Sequence, residues 1–212
     1  MRGQAVGLAA AAALLAAQCA EARPVSYPGG WTFMQRNSGD YSSLHLHYSP
    51  TFQDSVGLYV EDNWTSDWRY AGIQYNRLVK RWNRPGSQAN IYFNASAGYA
   101  DADATGEGDL AGFVGGAADW ETRRWFTSYQ LRALNLGFDQ DFRQAARIGV
   151  APYIGDYGDL HTWLMVEVEH QPEADAPVTV TPLVRFFYGV QLVEIGYTPE
   201  TERFLANWIV RF

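Results

Sequence analysis

The chain has 212 residues, a formal net charge of −7 and one lysine, Lys80. Acidity of that kind offers no basic footprint for a phosphate backbone, so nucleic acid is excluded as a partner. No apolar run beyond the N-terminal stretch is long enough to cross a bilayer as a helix, which excludes a helical membrane protein but not one built of strands.

Taken in chain order, Met1–Gln4 is short and basic, and residues 5–17 are small and apolar without a break. Ala20-Glu21-Ala22 then offers a small-x-small cleavage site. Together these predict a signal peptide over 1–22, cleaved after Ala22. The only cysteine, Cys19, precedes that cut, so the mature chain is predicted to hold neither thiol nor disulfide.

From residue 30 onward, apolar residues recur at every second position, the period of a strand with one apolar face. Over 89–100, Ile91, Phe93, Ala95, Ala97 and Tyr99 alternate with Tyr92, Asn94, Ser96 and Gly98. Over 160–169, Leu160, Thr162, Leu164, Val166 and Val168 alternate with His161, Trp163, Met165, Glu167 and Glu169. At the end, Phe204, Ala206, Trp208, Val210 and Phe212 alternate with Arg203, Leu205, Asn207, Ile209 and Arg211.

Turn-forming clusters punctuate this pattern at 37–40, 49–54, 62–67, 83–88, 101–109, 119–122, 138–141, 155–159, 171–177, 188–189 and 198–201. Gly, Pro, Asn and Asp supply the backbone conformations that such reversals need. They divide the chain into about twelve strands, an even number that returns both termini to one side. Segment 123–150 is ambiguous, because Leu131, Leu134, Phe138, Phe142 and Ala145 also suit a helix face; a helix there lowers the count to ten, and eight is a further alternative. With the N-terminus on the inner side, the two longest acidic connections, 101–109 and 171–177, face outward.

A soluble β-sandwich shares the alternation. It should hide its aromatics, whereas Trp31, Tyr48, Trp64, Trp68, Trp82, Trp120 and Trp125 fall near strand ends, as in the interfacial girdles of membrane barrels. The closing strand adds a second signal. Phe212, with Val210, Trp208, Ala206 and Phe204 stepping back by twos, resembles the terminal strand of bacterial outer-membrane β-barrel proteins. That resemblance implies an all-β, antiparallel, up-and-down transmembrane barrel over 30–212, preceded by a short periplasmic segment at 23–29. It further implies that Phe204, Trp208, Val210 and Phe212 form an assembly signal read by the barrel-assembly machinery. Outer-membrane lipids and lipopolysaccharide are then the surroundings, and the barrel is expected to be a monomer.

The other parity faces the lumen. Pairing the first hairpin about 37–40 sets Phe33 beside Leu44 and Trp31 beside Leu46, and gathers Thr32, Met34, Arg36, Ser43, His45 and His47 inside. His161, Met165, Glu167, Glu169, Arg185, Glu194, Arg203 and Arg211 join them by the same alternation. Buried charges need partners, so Arg–Glu networks are expected, in a barrel that is non-enzymatic and either structural or a narrow pore, with no cofactor.

Three rival readings rest on particular residues. His45 and His47 share a strand face with Met34 nearby, a donor set for a metal ion. His47-Tyr48-Ser49 with Glu61 is similar in spacing to the His-x-Ser…Glu arrangement of outer-membrane lipid A deacylases, which implies a hydrolase. Asp101, Asp103, Thr105, Glu107 and Asp109 place oxygens at alternate positions, as in the first half of an EF-hand loop, though Gly112 stands where the bidentate Glu should be.

Overall fold

The structure, a computed structural model, describes residues 24–156 and 158–212; the expected signal peptide lies outside the described residues. Twelve strands run in order: β1 (Trp31–Asn37), β2 (Tyr41–Tyr48), β3 (Asp54–Asn63), β4 (Trp68–Arg84), β5 (Ser87–Ala102), β6 (Gly108–Thr122), β7 (Trp125–Asn135), β8 (Gln140–Val150), β9 (His161–His170), β10 (Val178–Tyr188), β11 (Gln191–Thr198) and β12 (Arg203–Arg211). Each pairs antiparallel with its chain neighbours, and β12 pairs with β1 to close the barrel. The ambiguous segment is two strands: β7 and β8 pair from Trp125↔Val150 to Asn135↔Gln140. A helix there would leave β6 and β9 with open edges.

The alternation becomes inside and outside. On β3, Val56, Leu58 and Val60 are exposed, while Ser55, Glu61 and Asn63 are buried. The same outward rows carry Ile73, Ile91, Phe93, Val114, Leu131, Ile148, Leu164, Val166, Val180, Ile195 and Phe204. Water would penalise such a continuous apolar wall, at about 25 cal/mol for each Å². A closed barrel with an apolar exterior has the architecture of a transmembrane β-barrel, and the wall is its lipid face.

Trp31, Trp64, Trp82, Trp120 and Trp125 are exposed near strand ends, at girdle positions. Trp68 is a correction: it is buried, packed in the lumen with Tyr70, Ala100, Phe113, Leu134 and Leu136. It opens β4 opposite the inward Asn63, and closeness to a strand end says nothing of which face a ring takes.

Further details depart from the sequence reading. The first hairpin pairs Phe33 with Leu46 and Trp31 with Tyr48, two residues beyond the expected register. Because the shift is even, every side chain stays on its expected face. The sixth reversal falls at 123–124, since β6 continues through Asp119–Thr122 paired to β5. The longest connection, 151–160, lies at the same end as Trp31 and Phe212, so long connections are not confined to the other end. A bulge in β4 between Leu78 and Lys80 adds one residue to that strand. Beyond it Lys80 turns outward and Arg81 reaches the buried Asn90, so the lone lysine stays outside the lumen.

The seam is tied to its last residue. Trp31 N–H donates to the Phe212 carbonyl at 2.7 Å, and Phe212 N–H donates to Trp31 at 3.0 Å. Outside the seam, the Phe33 and Trp208 rings meet at 5.6 Å. Deleting Phe212 removes both bonds, each worth about 1 kcal/mol net, and leaves Trp31 an open edge. The variant is expected to show a smaller heat-modifiable, folded fraction on gels than one shortened within 103–107; equal fractions would show that the seam does not control assembly.

Candidate functional site

Lumen-facing side chains come from every second residue, and the long ones meet across the barrel. From β7, Arg132 reaches Glu61 on β3 and Asp141 on β8, with Nη2 at 3.1 Å from Glu61 Oε1 and 2.9 Å from Asp141 Oδ2. Its other amino group bonds Glu61 and the Tyr59 hydroxyl, and that hydroxyl also donates to Glu61. Three strands separate β3 from β7, so this is a strut across the lumen. Arg143 supports it, 3.6 Å from Glu61 and stacked 4.0 Å over the Tyr41 ring.

A second cluster occupies the middle of the barrel. Arg147 on β8 donates to Glu167 on β9 at 2.6 Å and to Glu194 on β11 at 2.8 Å. Glu194 also accepts from Arg185 on β10 at 2.6 Å and from Asn207 on β12 at 2.8 Å. A buried carboxylate is tolerable only when its lone pairs are met in this way. Arg185 further rests 4.9 Å over the Phe126 ring.

These charges border a cavity of about 190 Å³, with room for on the order of ten waters. Arg36, Arg147, Arg185, Glu167, Glu169 and Glu194 line one wall, from β8 through β11 to β1. Gln74, Asn76, Asn94 and Ser128, from β4, β5 and β7, line the wall facing it. A second cavity of about 290 Å³ opens at the end away from Trp31, between Asp40, Gln171, Pro177 and Arg203. Glu169 lines both. At the Trp31 end Pro24 forms part of the first cavity's lining, while Val25 packs inside on Leu78 and Tyr92. Ser55 holds the Pro24 carbonyl at 2.6 Å, and Ser26 N–H donates to Ser49 Oγ at 2.9 Å.

The residues singled out from sequence are distributed as follows. Arg36, His45, Glu167, Glu169, Arg185 and Glu194 line the central cavity. Arg203 sits at the far rim, paired with Asp40 and with Thr65 at 2.9 Å. Arg211 is at the opposite end, where β12 pairs it with Thr32. His161 lies at that end too, its ring 6.2 Å from Phe187. His47, Ser49 and Glu61 are all buried, but they form no hydrogen-bonded triad. Ser49 Oγ accepts from Ser26, Glu61 is held by arginines, and neither His47 ring nitrogen has a partner among the described residues. Asp101 and Asp109 stand on the exposed β5–β6 hairpin, and Asp103 pairs with Arg69 at 2.8 Å. Among the described residues no three His, Cys, Asp or Glu side chains converge as a metal site.

Sequence reasoning passed over Arg132, Arg143, Arg147 and Asp141, which carry much of the electrostatics. All fall in the segment that also suited a helix. Arg143, Ala145 and Arg147 at alternate positions were the available signal, since a helix would scatter them around its axis.

No family model matches the chain, and no curated protein matches it. Among solved structures, the KdgM porin matches at 10% identity with a TM-score of 0.49, covering 86% of this chain and 98% of its own. Pseudomonas aeruginosa OccK8 (OprE) matches at 8% identity with a TM-score of 0.43, covering 81% of this chain and 57% of its own. Acinetobacter baumannii OccAB4 matches at 11% identity with a TM-score of 0.42, covering 81% and 52%. Such identities transfer no residue's role.

Arg132→Ala leaves Glu61 buried without its strongest partner. Loss of one member of a buried pair costs about 3–5 kcal/mol, expected as a lower urea midpoint for the refolded barrel. Replacing both residues, Arg132→Met with Glu61→Gln, is expected to recover most of that loss. An unchanged midpoint for Arg132→Ala would show that the strut contributes nothing to stability.

Proposed function

We propose that the protein is a non-enzymatic, narrow-pore barrel passing small polar solutes across the outer membrane. The observation that carries this reading is the central cavity, with an ion-paired wall facing a wall of amides and a hydroxyl. A solute entering from the far mouth meets Glu169, which both cavities share. It then passes between groups that can replace its water, as selective pores require. The Arg132–Glu61 strut narrows one side of the path. Pro24 and Val25 form its floor, so passage requires the N-terminal segment to move aside or leave a gap along it.

A rigid plug is the competing use of the same side chains, but a wholly structural lumen has no need of a hydrated, charged space of this size. The reading also includes removal of residues 1–22 on export and a monomer in contact with lipid and lipopolysaccharide. Phe204, Trp208, Val210 and Phe212 serve in it as the strand recognised by the assembly machinery.

In planar bilayers the refolded barrel is expected to give small, stepwise conductance. A variant lacking Pro24–Ser26 is expected to give larger steps, because its floor is gone. Silence from both proteins, at a folded fraction verified by heat-modifiable mobility, would overturn the pore and leave a structural barrel.

A further inference from the structure

Buried polar atoms in folded proteins almost always have a hydrogen-bond partner. The β1–β2 wall of the lumen breaks that rule at one spot. His45 and His47 lie on the same inward face of β2, with ring centroids 4.4 Å apart and planes tilted by 38°. His47 is 0% exposed and His45 6%. Nδ1 and Nε2 of His47, Nε2 of His45 and the hydroxyl of Thr32 are all without a partner among the described residues. Thr32 is the cross-strand neighbour of His47, and Met34 that of His45. Met34 is itself buried, and Met34 and His45 both line the central cavity.

The chemistry of this group is specific. Two neutral imidazoles and a thioether are soft to borderline donors, with no carboxylate among them. The charges on the adjoining strand positions are cationic: Arg36 follows Met34 on the same face of β1, and Arg211 on β12 pairs with Thr32. The carboxylates Glu61 and Glu194 are committed to arginines. A divalent ion would meet repulsion there and no compensating anion. A soft monovalent ion meets less, and thioether with imidazole is the donor set that selects Cu(I). Histidine χ2 is a broad torsion, so either ring can turn its nitrogen toward a shared ion without leaving the wall.

We propose that Met34, His45 and His47 form a lumen site for a soft monovalent metal ion of the Cu(I) class, reached through the central cavity. The site is independent of the pore reading, since a structural barrel with the same mouth could hold the ion equally.

The test is competition for Cu(I) between the refolded full barrel in detergent and a colorimetric Cu(I) chelator, under reducing, oxygen-free conditions. One ion per chain is expected. Exchange of His47→Asn is expected to weaken binding by about 10-fold or more, the scale seen when a metal site is perturbed. Met34→Leu keeps the side-chain volume and is expected to fold normally, so it carries the test if the histidine variants misfold; weaker binding is expected there too. Zn(II) in excess is expected not to displace the ion. The proposal is overturned if the wild-type barrel removes no Cu(I) from the chelator, leaving the orphaned nitrogens to water. Wild-type affinity in Met34→Leu, or displacement by Zn(II), would overturn the soft donor set.

Discussion

Within hydrocarbon an unpaired backbone N–H or C=O has no water to turn to, so a membrane-spanning sheet must have no edge. In this chain that constraint is met at one seam, where β12 lies against β1 and Phe212 exchanges hydrogen bonds with Trp31. Closure forces an inside and an outside on every strand. It also makes parity absolute, because a slip by one residue would send Glu61 into lipid and Leu58 into the lumen. The apolar wall and the charged lumen are two consequences of one closed ladder.

The size of the ring sets what the lumen must contain. An eight-stranded barrel is about wide enough for its own side chains to fill, and larger rings leave space. Twelve strands fall between. The space is bridged by the longest side chains, arginines reaching carboxylates on non-adjacent strands, and by aromatic rings beneath them. Arg132 to Glu61 crosses three strands, and Glu194 gathers donors from β8, β10 and β12. Inward glycines assist the rings: a Cβ at Gly72 would sit 2.4 Å from the Tyr70 hydroxyl. Networks of this kind gain most when their members are satisfied; single atoms of Asn63, Gln74 and Arg132 and two of Arg143 lack hydrogen-bond partners among the described residues, while at His47 both ring nitrogens do.

Charge is also sorted along the barrel axis. The connections at the end away from Trp31 carry Asp40, Asp67, Asp103, Glu107, Asp139, Glu173, Asp175, Glu200 and Glu202. At the opposite end the connections carry Arg123 and Arg124 together with Asp156 and Asp159, which offset them. The far rim therefore presents an acidic field outside the ion pairs of the lumen, and such fields act on approach of charged species more than on fold.

Much of this was legible because strand parity is local. Each alternating run names its two faces without reference to the rest of the chain, and an even error of register, as in the β1–β2 hairpin, changes neither face. Legibility failed where the decision was not local. Segment 123–150 satisfied two periods at once, and only the open edges of β6 and β9 select the strands. Trp68 lies near a strand end like the girdle tryptophans, yet its parity sends it inward. The β4 bulge resets parity for Arg81 with no mark in the residues around Val79. By itself the sequence determined the closed antiparallel barrel, its lipid face and the polarity of its interior, because those follow from period two and turn chemistry. Only the tertiary structure decided which arginine meets which glutamate, that Val25 enters the lumen, and that His45 and His47 lack partners, because these depend on distances across a ring whose diameter no local pattern encodes.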